Sequence, residues 1–310
     1  MADVIVVAGA TGNLGGRIVH CLVERGAVVR ALVRPETTAE KVAPLERTGA
    51  SVVRADATRG ADLARACEGA ACVVSALQGM RDVIVDAQTA LLEGALAAKV
   101  TRFIPSDFAA DFTKLTDAEN RNFAFRRAFR ERVLAAPIRS TSILNGAFTE
   151  ILMYGTPMLD FERRSVGYWE SADQSLDFTT MDDTAAFTAA AALDASAPPV
   201  LRVAGDSLSA RTLAEVASEV KGHAFELARM GSLDDLAGYI ARERAAHPET
   251  ENEVFPRWQS SQYMHNMFSG RAKLEPLDNA RYPGIRYTTV RDFIAAAGAR
   301  GAPRPVENRP

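Results

Sequence analysis

Short apolar runs alternate with amphipathic stretches through the first half of the chain, and this rhythm sets the expected fold. Runs of β-branched and apolar residues predict strands at 4–8, 28–33, 51–55, 72–76, 102–105 and 140–144. Apolar residues at helical spacing fill the gaps and predict helices at 14–24, 39–48, 61–68, 83–98 and 119–135. Parallel strands joined by helices obey the right-handed crossover rule, so the expected fold class is α/β with a doubly wound parallel sheet. After Asn145 the alternation stops. Short strands are expected at 165–169, 176–180 and 200–204, and helices at 184–193, 211–220, 233–246 and 290–297. This mixture predicts a smaller C-terminal α+β lobe that lines a ligand crevice with the first. The division read from the sequence is a first domain over 1–155, a substrate lobe over 156–300 that can receive sheet elements from the first, and a flexible tail over 301–310, where three prolines fall.

The first strand runs into Ala8-Gly9-Ala10-Thr11-Gly12-Asn13-Leu14-Gly15, which spaces three glycines as GxxGxxG between a buried strand and a helix. Gly9 permits the tight turn, Gly12 lets backbone approach a pyrophosphate, and Gly15 lets the helix pack closely. The helix start then offers free N–H groups to phosphate oxygens. Turns in any α/β protein use glycine, but this context predicts a Rossmann-type dinucleotide site, and the spacing points to a nicotinamide rather than a flavin. The second strand ends at Arg34, where an NAD site would carry an acid for the ribose 2′-hydroxyl. Arg34 with Lys41 favours NADP(H), leaving NAD(H) the lesser choice, since a guanidinium can fork onto a 2′-phosphate. A plainer role is also open to them, as solvated charges partnered by Glu36 and Glu40.

Composition narrows the partners. The chain has 310 residues, 47% of them hydrophobic, which is ample for a large core; its net charge is −3 and no long basic run appears, so neither nucleic acid nor membrane is an expected partner. The three cysteines, Cys21, Cys67 and Cys72, show no CxxC spacing and are expected as small buried hydrophobes, and no metal site is expected. No apolar run reaches about 18 residues and the N-terminus enters a strand directly, so a cytoplasmic protein is expected.

The opening GATGNLG, the Arg34 ending, RFIPSDFAADF at the fifth strand and STSILNGAF at the sixth together resemble the NmrA-like and isoflavone-reductase-like branch of atypical short-chain dehydrogenases. The resemblance is strongest over most of residues 1 to 155. It implies an NADP(H) site in which Gly9, Thr11, Gly12, Asn13 and Leu14 meet the pyrophosphate, with Gly15 completing the turn. Arg34 and Lys41 would meet the 2′-phosphate, and Ser75, Ala76 and Gln78 would line the region past the fourth strand. Pro105, Ser106, Asp107 and Phe108 match a PSEF-like segment beside the nicotinamide, and Asn145, Gly146 and Phe148 match a stretch that closes over it. Position supports this independently, because ligands of open α/β sheets lie beyond the carboxyl ends of strands, where Ser75, Ser106, Asp107 and Asn145 fall. Ser106 and Asp107 would equally suit a capping role.

Catalysis is harder to place. Short-chain dehydrogenases pair a tyrosine with a lysine four residues on, and none of the six tyrosines here has one. Isoflavone-type reductases use a lysine in the helix after the fifth strand, a position that falls at Phe125 or Arg126. Phenylalanine carries no proton; Arg126 stays protonated and could polarise a carbonyl. Lys114, in the preceding loop, and His265, flanked by Tyr263, Met264, Met267 and Phe268, complete the catalytic candidates. Both also fit ordinary surface or structural roles. The leading expectation is an NADPH-dependent reductase of a small aromatic or enone-like carbonyl or alkene compound, as the resemblance implies, and a homodimer is compatible with it. The alternative is a silent NADP(H) sensor that signals to a protein partner; the missing tyrosine–lysine pair favours it, while the aromatic residues Trp169, Trp258, Tyr263 and Phe268 argue for a substrate cavity.

Overall fold

The computed structural model describes residues 2–56 and 59–300. The first half contains β1 (Val4–Ala8), α1 (Asn13–Glu24), β2 (Val28–Val33), α2 (Ala39–Arg47), β3 (Ser51–Arg54), α3 (Gly60–Cys67), β4 (Cys72–Ser75), α4 (Gln88–Ala97), β5 (Arg102–Ile104), α5 (Arg121–Ala135) and β6 (Arg139–Ser140). Then come β7 (Ser142–Leu144), β8 (Ala147–Phe148), β9 (Ser165–Trp169), β10 (Leu176–Thr179), α6 (Met181–Leu193), β11 (Val200–Arg202), β12 (Asp206–Leu208) and α7 (Ala210–Lys221). The chain ends with β13 (Glu226–Gly231), α8 (Leu233–Ala246), α9 (Arg257–Phe268) and α10 (Val290–Arg300). The expected tail at 301–310 lies outside the described residues. No helix among those described is long and apolar enough to cross a membrane.

Six parallel strands form the central sheet in the order β3-β2-β1-β4-β5-β6, the doubly wound arrangement expected from the sequence. Strand side chains alternate between faces, and here both faces are apolar: Ile5, Val7, Cys72, Val74 and Ile104 enter one core, while Val6, Ala8, Val73 and Phe103 enter the other. The first core also holds Ala185, Phe187, Ala189, Leu201 and Val203, so α6 and β11 pack with the glycine-turn half although they come late in the chain. A third core joins β9, β10, α7, α9 and α10.

Several elements differ from expectation, among them the strands β8, β12 and β13, which the sequence did not suggest. The strand expected over 140–144 breaks at Thr141: its first part pairs with β5, and β7 then changes partner to β11. The helix expected from residue 83 opens as a π-turn over Asp82–Ala87, with the Gln88 and Thr89 side chains donating to the carbonyls of Ile84 and Val85 at 2.6 Å each. Helix α9 was not expected, because apolar and polar residues are spread around all its sides: Trp258 and Phe268 are buried, and so are Gln259, Gln262 and Asn266. Interhelix amide bonds explain this, among them Asn120 Nδ2 to Asn266 Oδ1 at 2.9 Å and Gln259 Nε2 to Asn120 Oδ1 at 2.9 Å.

Candidate functional site

The glycine turn is fixed by close approach of backbones. Gly9 has φ +78°, and a Cβ there would lie 2.5 Å from the Ala76 carbonyl oxygen, so the turn rests directly on the end of β4. A Cβ on Gly15 would lie 2.1 Å from the Gly9 carbonyl oxygen, which leaves room only for hydrogen at the start of α1. The Gly12 N–H donates to Gly9 O at 2.9 Å, and Gly12 is the N-cap of α1 with no side chain capping it. Asn120, Thr180, Ser209 and Ser232 cap α5, α6, α7 and α8, whereas α2, α3, α4 and α9 share the lack of a side-chain cap with α1. The first turn of α1 therefore presents free N–H groups and the positive end of the helix dipole, as an anion needs.

At the end of β2, Arg34 is exposed and its Nε lies 3.2 Å from Glu36 Oε1, while Lys41 is exposed in the first turn of α2. The loop between them is held by Arg54 from the end of β3, whose guanidinium donates to the carbonyls of Pro35 at 2.7 Å and Thr37 at 2.9 Å. Sequence reasoning missed Arg54, because its role depends on the parallel pairing of β2 with β3.

A polar cluster occupies the carboxyl ends of β4, β5, β7 and β8. Ser106 is locked at both ends of its residue: its N–H donates to Gln88 Oε1 at 3.0 Å and its hydroxyl to Leu77 O at 2.6 Å. Asp107 is fully buried, and its Oδ2 accepts from Ser142 Oγ at 2.7 Å. Burial pushes the Asp107 carboxyl up to about 6, against the Ser142 hydrogen bond and the charges of Arg126 and Arg130. Ser75 Oγ, both amide atoms of Asn145, and Thr149 Oγ1 are buried without a partner. Buried polar atoms are almost always paired, so four such atoms at these strand ends fit the carboxamide and ribose hydroxyls of a nicotinamide nucleotide. Gln78 is exposed and Ala76 is half-buried, its N–H held by Ala8 O at 2.9 Å.

The catalytic candidates separate. Arg126 acts by charge on both Asp107 and Tyr263, and its Nε is buried without a partner. Lys114 donates to Lys273 O at 2.7 Å and stands 3.8 Å from Asp111, so it belongs to a scaffold in which Asp111 also pairs with Arg202 at 2.8 Å. His265 faces the charges of Glu119, Arg271 and Asp234, and burial holds its pKa below the ordinary value. Of the large aromatics expected to line a substrate cavity, Trp169, Phe268 and Trp258 are packed inside the protein. Trp169 packs edge-on against Phe268 at 5.5 Å inside the third core, and buried Trp258 is stacked by Arg121 and Arg244, each 4.5 Å from its ring. Tyr263, half-buried, accepts from Asn122 Nδ2 at 3.1 Å.

Comparison with known proteins decides the family: the sequence model of the NmrA-like family matches residues 1–278. The chain belongs to the NmrA-like family. This NmrA-like chain is 24% identical over 306 residues to the bifunctional pinoresinol-lariciresinol reductase of Linum usitatissimum, covering 94% of this chain and 97% of that protein. A match to the probable pinoresinol-lariciresinol reductase 3 of Arabidopsis thaliana, 25% identical over 151 residues, spans 48% of this chain and 49% of that one. Its fold is similar to that of the solved structure of AtPrR2 with NADP+ and (+)-pinoresinol, with a TM-score of 0.81, 21% identity, and coverage of 96% and 99% of the two chains. The binary complex of leucoanthocyanidin reductase with NADPH from Vitis vinifera gives a TM-score of 0.80 at 18% identity, over 95% of this chain and 99% of that one.

Proposed function

We propose that this NmrA-like chain is an NADPH-dependent reductase of a small aromatic or enone-like carbonyl or alkene compound. The observation that carries the reading is the pairing of an uncapped α1 N-terminus with four unpartnered buried polar atoms at the strand ends. The α1 N–H groups from Asn13 to Gly15 would hold the pyrophosphate, Arg34 and Lys41 the 2′-phosphate, and Ser75, Asn145 and Thr149 the nicotinamide end. When bound, the dihydronicotinamide supplies a hydride. Ser106 and Asp107 sit in a segment that Gln88 and Ser142 hold rigid, which keeps the floor of the site in place. The names of the relatives support a reductase, and the substrate class rests on the family resemblance.

Titration of the protein with NADPH and NADH by fluorescence, followed by nicotinamide absorbance with a panel of aromatic aldehydes, ketones and enones, tests the reading. Tighter binding of NADPH and its consumption with a panel member are expected. Tight binding with no consumption by any member would replace the reductase with a cofactor sensor, and no binding of either nucleotide would remove both.

A further inference from the structure

The reductase reading leaves a proton to be found, since the chain has neither the tyrosine–lysine pair nor a lysine at Phe125 or Arg126. We infer that Glu150 is the acid that protonates the substrate, an assignment that rests on the reductase reading.

Glu150 lies in the single 3₁₀ turn Thr149–Met153 that follows β8, five residues beyond Asn145. One of its oxygens is clamped: Oε1 accepts the Met181 N–H at 2.9 Å, at the first residue of α6. The other, Oε2, is buried and has no partner. It therefore belongs to the same set of bare polar atoms as the Asn145 amide and Thr149 Oγ1, in one six-residue stretch. A carboxyl fixed through one oxygen and free at the other is oriented for proton transfer. The charges facing it are Arg17 from α1 and Asp182 from α6, which pair with each other and so offer little net charge, and Tyr154 lies in the following residues. Burial raises its pKa, followed in size by the opposing Met181 N–H bond, so the protonated form persists further toward neutrality. The other acids and cations fit less well. Asp107 shares the pattern of one bound and one bare oxygen, but it is fully buried where Glu150 is only half-buried, and the charges of Arg126 and Arg130 favour its ionised form; Lys114 is bound to Lys273 O, and a guanidinium does not give up its proton.

In the proposed step the substrate carbon receives hydrogen with both electrons of the dihydronicotinamide C4–H bond. The π pair of the carbonyl, or of the conjugated enone, moves onto oxygen. That oxygen bonds to the Glu150 proton as the Oε2–H bond breaks and leaves its pair on the carboxylate. The substrate gains a hydride, which carries both electrons, and one proton; the cofactor is oxidised by the same two electrons, and the carboxylate is reprotonated from water.

The test uses full-length Glu150→Gln and Glu150→Asp beside the unchanged chain. Glu150→Gln should bind NADPH within about threefold of the parent and lose about 100-fold or more in kcat, the usual scale for removing a general acid. The parent kcat/KM should fall as pH rises through the Glu150 pKa, and Glu150→Gln should lack that fall. A second readout is independent of turnover: proton uptake on NADPH binding, measured by calorimetry in buffers of different ionisation heat near neutrality, should be greater in the parent than in Glu150→Gln, because bound phosphates and further burial favour the protonated acid. Should Glu150→Gln fail to fold, Glu150→Asp decides by the same readouts, with a kcat about tenfold below the parent and the proton uptake retained. A Glu150→Gln rate within threefold of the parent, or equal proton uptake in the two, overturns the assignment. A parent that binds neither nucleotide overturns the reductase reading instead.

Discussion

The two ends of the candidate site are built in opposite ways. At the phosphate end the geometry is made by backbone alone: Gly9 and Gly15 bring the turn, the end of β4 and the start of α1 within distances that no Cβ allows, and a Cβ on Gly12 would lie a tight 3.2 Å from Gly9 O. At the nicotinamide end it is made by side chains drawn from β4, the segment after β5, β7 and the turn after β8, several of them buried and unpartnered. The first construction tolerates almost no substitution and says nothing about which reaction follows. The second can be rebuilt residue by residue.

The sharpest way to break the phosphate end is Gly15→Ala. The new methyl would meet the Gly9 carbonyl oxygen, a backbone atom that cannot yield, so a loss of about 3 kcal/mol or more in stability and at least 100-fold in NADPH affinity is expected, read by thermal melting and fluorescence titration. At the other end, Asp107→Asn removes a buried titrating group. Its folded pKa of about 6 lies above the unfolded 3.8, so its contribution is fully present below pH 3.8 and is lost as pH rises through 6. Stability of the parent should therefore drop by roughly 3 kcal/mol across that window relative to Asp107→Asn, as urea melts at several pH values will show. Arg34→Ala, a side-chain change at the phosphate end, should weaken NADPH about tenfold and leave NADH unchanged, because one charge-assisted contact to the 2′-phosphate is lost. Equal weakening of both nucleotides would mean that Arg34 only orders the loop. The smallest effect tests whether the backbone argument is specific to position: Gly16→Ala, one residue beyond the largest, places its Cβ at an ordinary 3.4 Å from Ala10 O and should stabilise α1 by about 0.5–1 kcal/mol through helix propensity.

Where the sequence was legible, local pattern and local function coincided. The run Val4–Ala8 followed by three spaced glycines specifies strand, turn and helix within twenty-odd residues, and the residue types that permit the turn are the same ones that admit a phosphate. The place of Arg34 at the end of β2 could be read from the sequence, and the structure leaves it exposed there beside Glu36. Glu150, Thr149 and Gln88 carried no such signal. An acidic residue in a turn looks like any solvated charge, and only the packing of α6 brings the Met181 N–H to it and buries its second oxygen. Gln88 in a helix looks exposed until the π-turn before it rotates its amide onto Ser106.

By itself, then, the sequence determined the doubly wound sheet and the glycine turn, because apolar periodicity and missing Cβ atoms act over a few residues and need no distant partner. Tertiary structure alone decided that the strand breaks after β6 so that β7 pairs with β11, that α6 packs on α1, and that Trp169 and Trp258 serve the core. It also decided which polar atoms lose both water and partner. That last property belongs to no residue type: it arises only when segments far apart in the chain close around an atom and exclude solvent from it.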